Sequence, residues 1–442
     1  MKEMGARPTG VRARLSAMMF LQYAIWGAWL PLLWPFLRNH RHFDPSDIGD
    51  MFAVGAAGAI VGPFIAGQIA DRYFSTERFL GISHLIGSVV VWQLARVESY
   101  WTFLWLSLAY SLIYAPTLAL TNSISFHHLP DRDRDFGRVR VWGTVGWIAA
   151  GIGIGQWLLY AHTPSGPDVA ADAVRAAHLA GMSDAFRLSA VLGFVMGMYC
   201  FTLPRTPPTK GERPYATWEA RDEVQRNPRL MALFLFAVVV SCIHQFYFVH
   251  TADFLGLYQS GTAAFINRMF GVGGGGLMTI GQMSEIVVLA LIPLVARRWS
   301  RKTLLTIGLV AYALRMVLFA QVETIAARTD FSPPAILLPG IALHGLCFGC
   351  FIFVAFMIVD EETTADVRAS AQNLFNLVIV GFGIIVGSKI ATGVADWATL
   401  PDGAIDYRLL FSVPMWASIL TLAAFLFLYP GQRPGARTAA LA

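Results

Sequence analysis

Glu285 is the residue of this chain whose type and position most invite chemistry. It lies at the midpoint of an apolar run from about Gly276 to Val295, with Gln282 three positions before it. Residues three apart share a helix face, so the carboxylate and the amide would point the same way. Such a pair can hold hydroxyls and ring nitrogens, and the carboxylate can also carry a proton. An acid at the centre of a membrane span costs about 2.5–3.5 kcal/mol on insertion scales, so it normally faces protein or a water-filled cavity. The other reading of Glu285 is a structural ion pair.

Arg140, Thr144 and Trp147 follow at i, i+4 and i+7 in another apolar run. They would form one stripe of charged donor, hydroxyl and aromatic plane. Arg140 reads equally as a ligand contact and as an Arg that snorkels to the membrane edge. Gln245, flanked by His244, Tyr247 and His250, and His344, one turn before Phe348, each read as a ligand contact or as a helix–helix hydrogen bond. His244 and His250 are six apart and do not share a helical face, so no metal pair is read there. Gln22, Trp26, Trp29 and Asn122 are weaker candidates of the same kind. No P-loop, H-E-x-x-H or G-x-S-x-G motif occurs, so neither ATP hydrolysis nor covalent catalysis is expected, and no cofactor or metal.

The elements that must position these residues follow from composition. Of 442 residues, 56% are hydrophobic and 14% charged. An ordinary soluble domain has about 25% charged residues, so a soluble surface of this size could not be covered. Twelve long apolar runs lie near 15–37, 48–70, 79–95, 101–126, 138–160, 186–204, 230–256, 275–296, 303–322, 333–359, 369–394 and 408–429. A helix needs about 20 residues to cross the hydrocarbon. The reading is an all-α, polytopic membrane protein with twelve transmembrane helices. The first run is too long for a signal peptide and has no small-residue cleavage site. The four cysteines all fall inside apolar runs and read as small packing residues.

Placing the N-terminus in the cytoplasm puts 23 of the 33 Lys and Arg residues on that side. The opposite side holds Arg38, Arg41, Arg96, Arg175, Arg187, Arg268, Arg328 and Arg408. This asymmetry predicts both termini inside. It also accounts for the net charge of +5 without any nucleic acid. Residues 205–229 are rich in Pro, Glu and Arg and divide the chain into a first half, 1–204, a cytoplasmic linker, and a second half, 230–442. Segment 162–187 reads as a polar outside loop. The glycines of 271–276 read as hinge or loop material.

Two resemblances add to this. Gly67-Gln68-Ile69-Ala70-Asp71-Arg72 resembles the G-x-x-x-D-R signature of the loop between the second and third helices in the major facilitator superfamily, whose plan is two six-helix halves. Gly67, Asp71 and Arg72 are expected to have a conformational role, stabilising the outward-open state. In that fold the ninth helix is peripheral, so Arg315, central in the ninth run, is read as structural.

Several segments together resemble the nucleoside–proton symporter family of bacterial permeases. They are Phe20 to Leu30 (FLQYAIWGAWL), Pro116-Thr117-Leu118 with Asn122 to Ser125, Arg140 to Gly146 (RVWGTVG), Gln282-Met283-Ser284-Glu285 and Arg368 to Gln372. The resemblance implies nucleoside uptake with protons across the bacterial cytoplasmic membrane by alternating access; a monomer is the favoured unit, though no residue pattern sets the oligomeric state. It implies Arg140, Thr144, Gln245, Gln282 and Glu285 as substrate contacts, which breaks the tie over Arg140. Trp147 and Phe348 would offer flat faces to a base, and His344 a further contact. Two positions depart from the family pattern. Gly349 stands where the family has Asp, and Phe248 where it has Asn. Without that Asp, Glu285 is the acid left for proton coupling. The alternative is an uncoupled facilitator, or a symporter for another neutral polar solute such as a sugar.

Overall fold

The computed structural model describes residues 8–65, 75–129, 132–164, 169–207, 217–258, 261–273, 276–364 and 367–430. In hydrocarbon no water satisfies the backbone, so apolar runs of this length fold as helices that pair their own N–H and C=O groups. Ten helices among the described residues are long and apolar enough by themselves to cross a membrane. With Pro45–Ile65 and Thr76–Leu94 they supply all twelve expected runs. In chain order these are α1 Gly10–His40, α2 Pro45–Ile65, α3 Thr76–Leu94, α4 Tyr100–His128, α5 Arg132–Ala161, α6 Asp172–Cys200, α7 Pro228–Leu255, α8 Leu277–Val295, α9 Arg301–Ala320, α10 Pro333–Glu362, α11 Ser370–Trp397 and α12 Tyr407–Leu428. Among the described residues the sole extended pairing is an isolated bridge between Thr399 and Ile405.

The chain forms two compact units, one of Met1–Glu212 with Phe248–Thr279 and one of Arg213–Tyr247 with Ile280–Ala442. In the first, small residues let helix backbones touch, the usual solution where no hydrophobic force drives helix pairing in lipid. A Cβ on Gly27 of α1 would fall 2.8 Å from the Trp147 Cα of α5. A Cβ on Gly197 of α6 would fall 2.7 Å from Leu85 of α3. Polar side chains then pin the contacts. The Gln22 amide donates to Thr117 Oγ1 at 2.8 Å, and its carbonyl oxygen lies 2.9 Å from His84 Nε2. Near the start of α5, Asp135 is buried and pairs with Arg12 at 2.8 Å.

The second unit repeats these devices. Ser241 of α7 donates to the Ile379 carbonyl of α11 at 2.8 Å. A Cβ on Gly387 would lie 2.7 Å from the Cys242 Cα. Ser300 caps α9 by accepting from the Thr303 N–H, and Asp406 caps α12 by accepting from that of Leu409, both at 3.0 Å. The acidic end of α10 is held from three directions. Glu362 pairs with Arg229, Glu361 with Arg301, and Asp360 with Arg368 at 3.7 Å. Wide, π-type turns interrupt α10 over Cys347–Phe353 and α11 over Leu377–Gly383.

Two segments differ from the sequence reading, and the described residues of a third, 271–276, are non-helical as expected. The expected outside loop 162–187 contains the helix Ala171–Gly181, which runs on through a single turn residue into Ser183–Cys200. Its mixed polarity is that of an amphipathic helix end rather than of a loop. Residues 205–229 include the helix Thr217–Arg226, tied down where Glu223 accepts from the Thr364 N–H at 2.8 Å. The glycine segment 271–276 follows another short helix, Thr262–Phe270, and there Gly271, Gly273 and Gly276 adopt φ of 84°, 69° and 53°. These are left-handed conformations that a side chain disfavours. Gly67, Asp71 and Arg72 lie outside the described residues. All four cysteines are free thiols, three of them buried.

Candidate functional site

The first unit presents Arg140 and Trp147 on α5 against α1, with Thr144 half-buried between them in sequence. The guanidinium carbon of Arg140 sits 4.1 Å above the ring of Tyr23. Trp147 meets Trp26 edge-on at 5.8 Å. Tyr23 and Trp26 are one turn apart on α1, so the two ends of the stripe expected from spacing face α1. Gly143, between them, makes room: a Cβ there would lie 2.6 Å from Tyr23 Cδ2 and 2.8 Å from Arg140 Nη1. Among the described residues Arg140 has no ion pair and no hydrogen bond, and it is half-buried. Stacking on an aromatic face holds a guanidinium without using its N–H donors. Those five donors therefore stay available to acceptors on a ligand.

Gln22, by contrast, is fully buried and spends its side chain on Thr117 and His84. Trp29 stacks on Phe186 at 5.5 Å and meets Tyr110 edge-on, so it too serves packing. Asn122 is half-buried, with a buried Oδ1 that accepts no hydrogen bond among the described residues.

In the second unit Glu285 and His344 come together. Their Oε2 and Nε2 atoms are 3.5 Å apart. The approach depends on two glycines. A Cβ on Gly281 of α8 would lie 3.1 Å from the Ile341 carbonyl, and one on Gly345 of α10 would lie 2.8 Å from the Glu285 nitrogen. Ser284 Oγ accepts from the Gly345 N–H at 3.0 Å and locks the two helices in register. Gln282 is half-buried on α8, and Phe348 is half-buried in the wide turn of α10. Gln245 is turned to a neighbouring helix, donating to Ser388 Oγ of α11 at 2.8 Å.

Gly349, the departure from the family pattern, packs against α8. A Cβ there would lie 2.6 Å from Val288 Cγ1. Val288 therefore fills the space that a carboxylate side chain would need.

Sequence reasoning missed two partners of this site. Tyr247 stacks on His344 at 4.6 Å with ring planes 17° apart. Arg315 is fully buried, with Nη1 3.1 Å from His344 Nδ1. The signal for Arg315 was present, a charge at the centre of an apolar run. What hid it was the peripheral place that the fold gives to the ninth helix.

Twelve apolar helices carrying charged and polar groups at mid-span make this a multi-pass membrane transporter of the major facilitator fold. The chain belongs to the nucleoside H+ symporter family, whose sequence profile matches residues 9–433. It is 32% identical over 384 residues to the putative nucleoside transporter YegT of Escherichia coli (strain K12), covering 86% of this chain and 83% of that one. It is 28% identical over 428 residues to the xanthosine permease of the same organism, covering 94% and 95%. The crystal structure of the nucleoside transporter NupG matches with a TM-score of 0.79 at 24% identity, over 96% of this chain and 100% of that chain.

Proposed function

We propose that this chain imports nucleosides with protons across the bacterial cytoplasmic membrane, as a monomer with both termini in the cytoplasm. It works by alternating access of two six-helix halves, 1–204 and 230–442, joined by the linker 205–229. In this reading Arg140 and Thr144 donate to the acceptors of the base, and Trp147 and Phe348 give it flat apolar faces. Gln282 contacts the remaining polar groups, while Gln245 and His344, expected as contacts from the sequence, are engaged by Ser388 and by Arg315 and Glu285. Glu285 accepts from the ribose hydroxyls and carries the coupled proton. Gly67, Asp71 and Arg72 steady the outward-open state.

The observation that carries this reading is Glu285 itself, a half-buried carboxylate inside a spanning helix with an imidazole nitrogen 3.5 Å away. Intramembrane acids of this kind mark proton and substrate paths. A second reading is an uncoupled facilitator, and it rests on Val288 filling the space beside Gly349.

The test is uptake of uridine and adenosine into proteoliposomes with and without an inward proton gradient. Gradient-driven uptake that Glu285→Gln abolishes supports symport. Uptake indifferent to the gradient supports the facilitator. A Glu285→Gln protein with unchanged uptake and unchanged pH dependence removes Glu285 from the coupling role.

A further inference from the structure

We propose that Arg315, acting through the imidazole of His344, is the fixed counter-charge that sets the pH at which Glu285 exchanges its proton. Arg315 and His344 are then positioning residues of proton coupling. The inference deepens the reading of Glu285 as proton carrier and rests on it.

The geometry defines a direction along the array. A guanidinium has five N–H donors, no acceptor, and does not deprotonate in proteins. Arg315 Nη1, 3.1 Å from His344 Nδ1, must therefore donate, and Nδ1 must accept. An imidazole that accepts at Nδ1 carries its single proton on Nε2. That N–H points to Glu285 Oε2 at 3.5 Å, within ion-pair range and longer than a hydrogen bond. The order is guanidinium, imidazole, carboxylate, with one proton orientation throughout. Charging the imidazole would need a proton on Nδ1, where it would face the guanidinium. An arriving proton therefore goes to the Glu285 carboxylate, and the same proton leaves from there. The imidazole neither gains nor loses one.

Arg315 has little else to answer its charge. It is fully buried at the middle of α9. Its Nε and Nη2 atoms make no hydrogen bond among the described residues, and no carboxylate pairs with it there. The rings of Tyr247 and Tyr312 lie 4.4 and 5.1 Å from its guanidinium carbon and attract a cation without neutralising it. The acid that this charge reaches is Glu285, one imidazole away.

Among the described residues, groups from the neighbouring elements hold the ring in place. From α7, Tyr247 stacks on it at 4.6 Å and His244 at 5.5 Å. From α9 come Arg315 and Tyr312, whose hydroxyl is 2.7 Å from His244 Nδ1. Cys347 follows on α10 itself, and Glu285 faces it from α8. Tyr247 and His244 cover the ring from the α7 side, and the hydrogen bond from Arg315 at Nδ1 fixes which nitrogen faces Glu285.

The experiment measures gradient-driven uridine uptake in proteoliposomes against external pH, with uridine exchange at equal pH as the readout of intact binding. A nearby cation favours the carboxylate over the acid. Arg315→Gln should therefore move the midpoint of the pH profile upward by about one unit while exchange persists. The His344 variants give a second arm. His344→Gln keeps an oxygen to accept from Arg315 and an N–H to face Glu285, so its midpoint should match the parent protein. His344→Phe keeps the ring stack but neither nitrogen, so its midpoint should move upward. A purely structural role for His344 demands the reverse ranking, with Phe mild and Gln damaging, and that ranking overturns the proposal even if Arg315→Gln does not fold. Unmoved midpoints in Arg315→Gln and His344→Phe, with Glu285→Gln losing its gradient response, overturn it and leave the Glu285 reading standing. A His344→Gln protein that loses the gradient response as Glu285→Gln does makes His344 the carrier and overturns the bridge. Glu285→Gln with an intact response removes both readings together.

Discussion

Two histidines near the middle of spanning helices, His84 in α3 and His344 in α10, are each fully or almost fully enclosed, yet their company differs. His84 Nε2 faces an amide oxygen, that of Gln22, at 2.9 Å. Around it the Gln22 amide donates to Thr117, Thr117 to the Tyr114 carbonyl, and the Tyr114 hydroxyl to the Gln22 carbonyl. Among the described residues that cluster contains no carboxylate and no guanidinium, and its hydroxyls are paired. His344 Nε2 faces a carboxylate at 3.5 Å, and its other nitrogen faces a guanidinium. The first cluster is closed and holds α1, α3 and α4 together. The second contains a cation and an acid whose spacing leaves room for change. In a membrane interior, where an unmet polar group is costly, the closed kind gives rigidity and the open kind gives response.

Breaking the open cluster should have the largest effect. Glu285→Gln is expected to remove acceleration of uridine uptake by an inward proton gradient altogether, measured as the ratio of initial rates with and without the gradient. Arg140 comes next. Hydrogen bonds to a charged group contribute about 1.5–3 kcal/mol, so Arg140→Ala should raise the KM for nucleoside roughly 10- to 100-fold. Its pH midpoint should stay in place, because no acid pairs with Arg140 among the described residues. A midpoint that moved with Arg140→Ala would blur the division of labour between the two units.

Gly349→Asp tests whether the site accepts a second acid. Forcing a side chain into filled space costs about 1–3 kcal/mol, visible as a lower Tm in detergent. Val288→Ala in the same protein should return much of that loss, because Val288 Cγ1 is the atom in the way. No recovery would place the obstacle elsewhere.

The helices were legible because the bilayer fixes their length: an apolar run near 20 residues long has few other ways to satisfy its backbone. Each of the twelve runs appears as a helix over its described residues. The segment 171–181 escaped because its polar residues cover one side of a helix, a pattern easily read as loop. Glu285 was legible from its charge at mid-run. Its partners were not, since residues 285, 315 and 344 meet only through close packing of α8, α9 and α10. Gly281 and Gly345, which permit part of that packing, look like ordinary membrane glycines in the sequence. Gln245 showed its polarity but not its direction, which depends on Ser388, 143 residues away.

The smallest effect should come from His84→Gln, which makes the comparison sharp. At His344 the same substitution keeps a donor toward an acid and an acceptor toward a cation. At His84 it keeps only a donor toward the Gln22 oxygen. No carboxylate shares that cluster, so the pH profile of uptake has nothing there to follow. The expected cost is below about 1 kcal/mol, since one neutral hydrogen bond replaces another of similar reach. Its readouts are a small drop in Tm and an unmoved pH midpoint. Gln22→Leu in the same cluster would strand His84 Nε2, while Thr117 keeps the Tyr114 carbonyl, at about 1–3 kcal/mol for the buried group left without a partner. It should lower Tm far more, again without moving the midpoint. If either variant shifted the pH profile as Arg315→Gln is expected to, the response would be spread through the protein rather than held by the chain from Arg315 to Glu285.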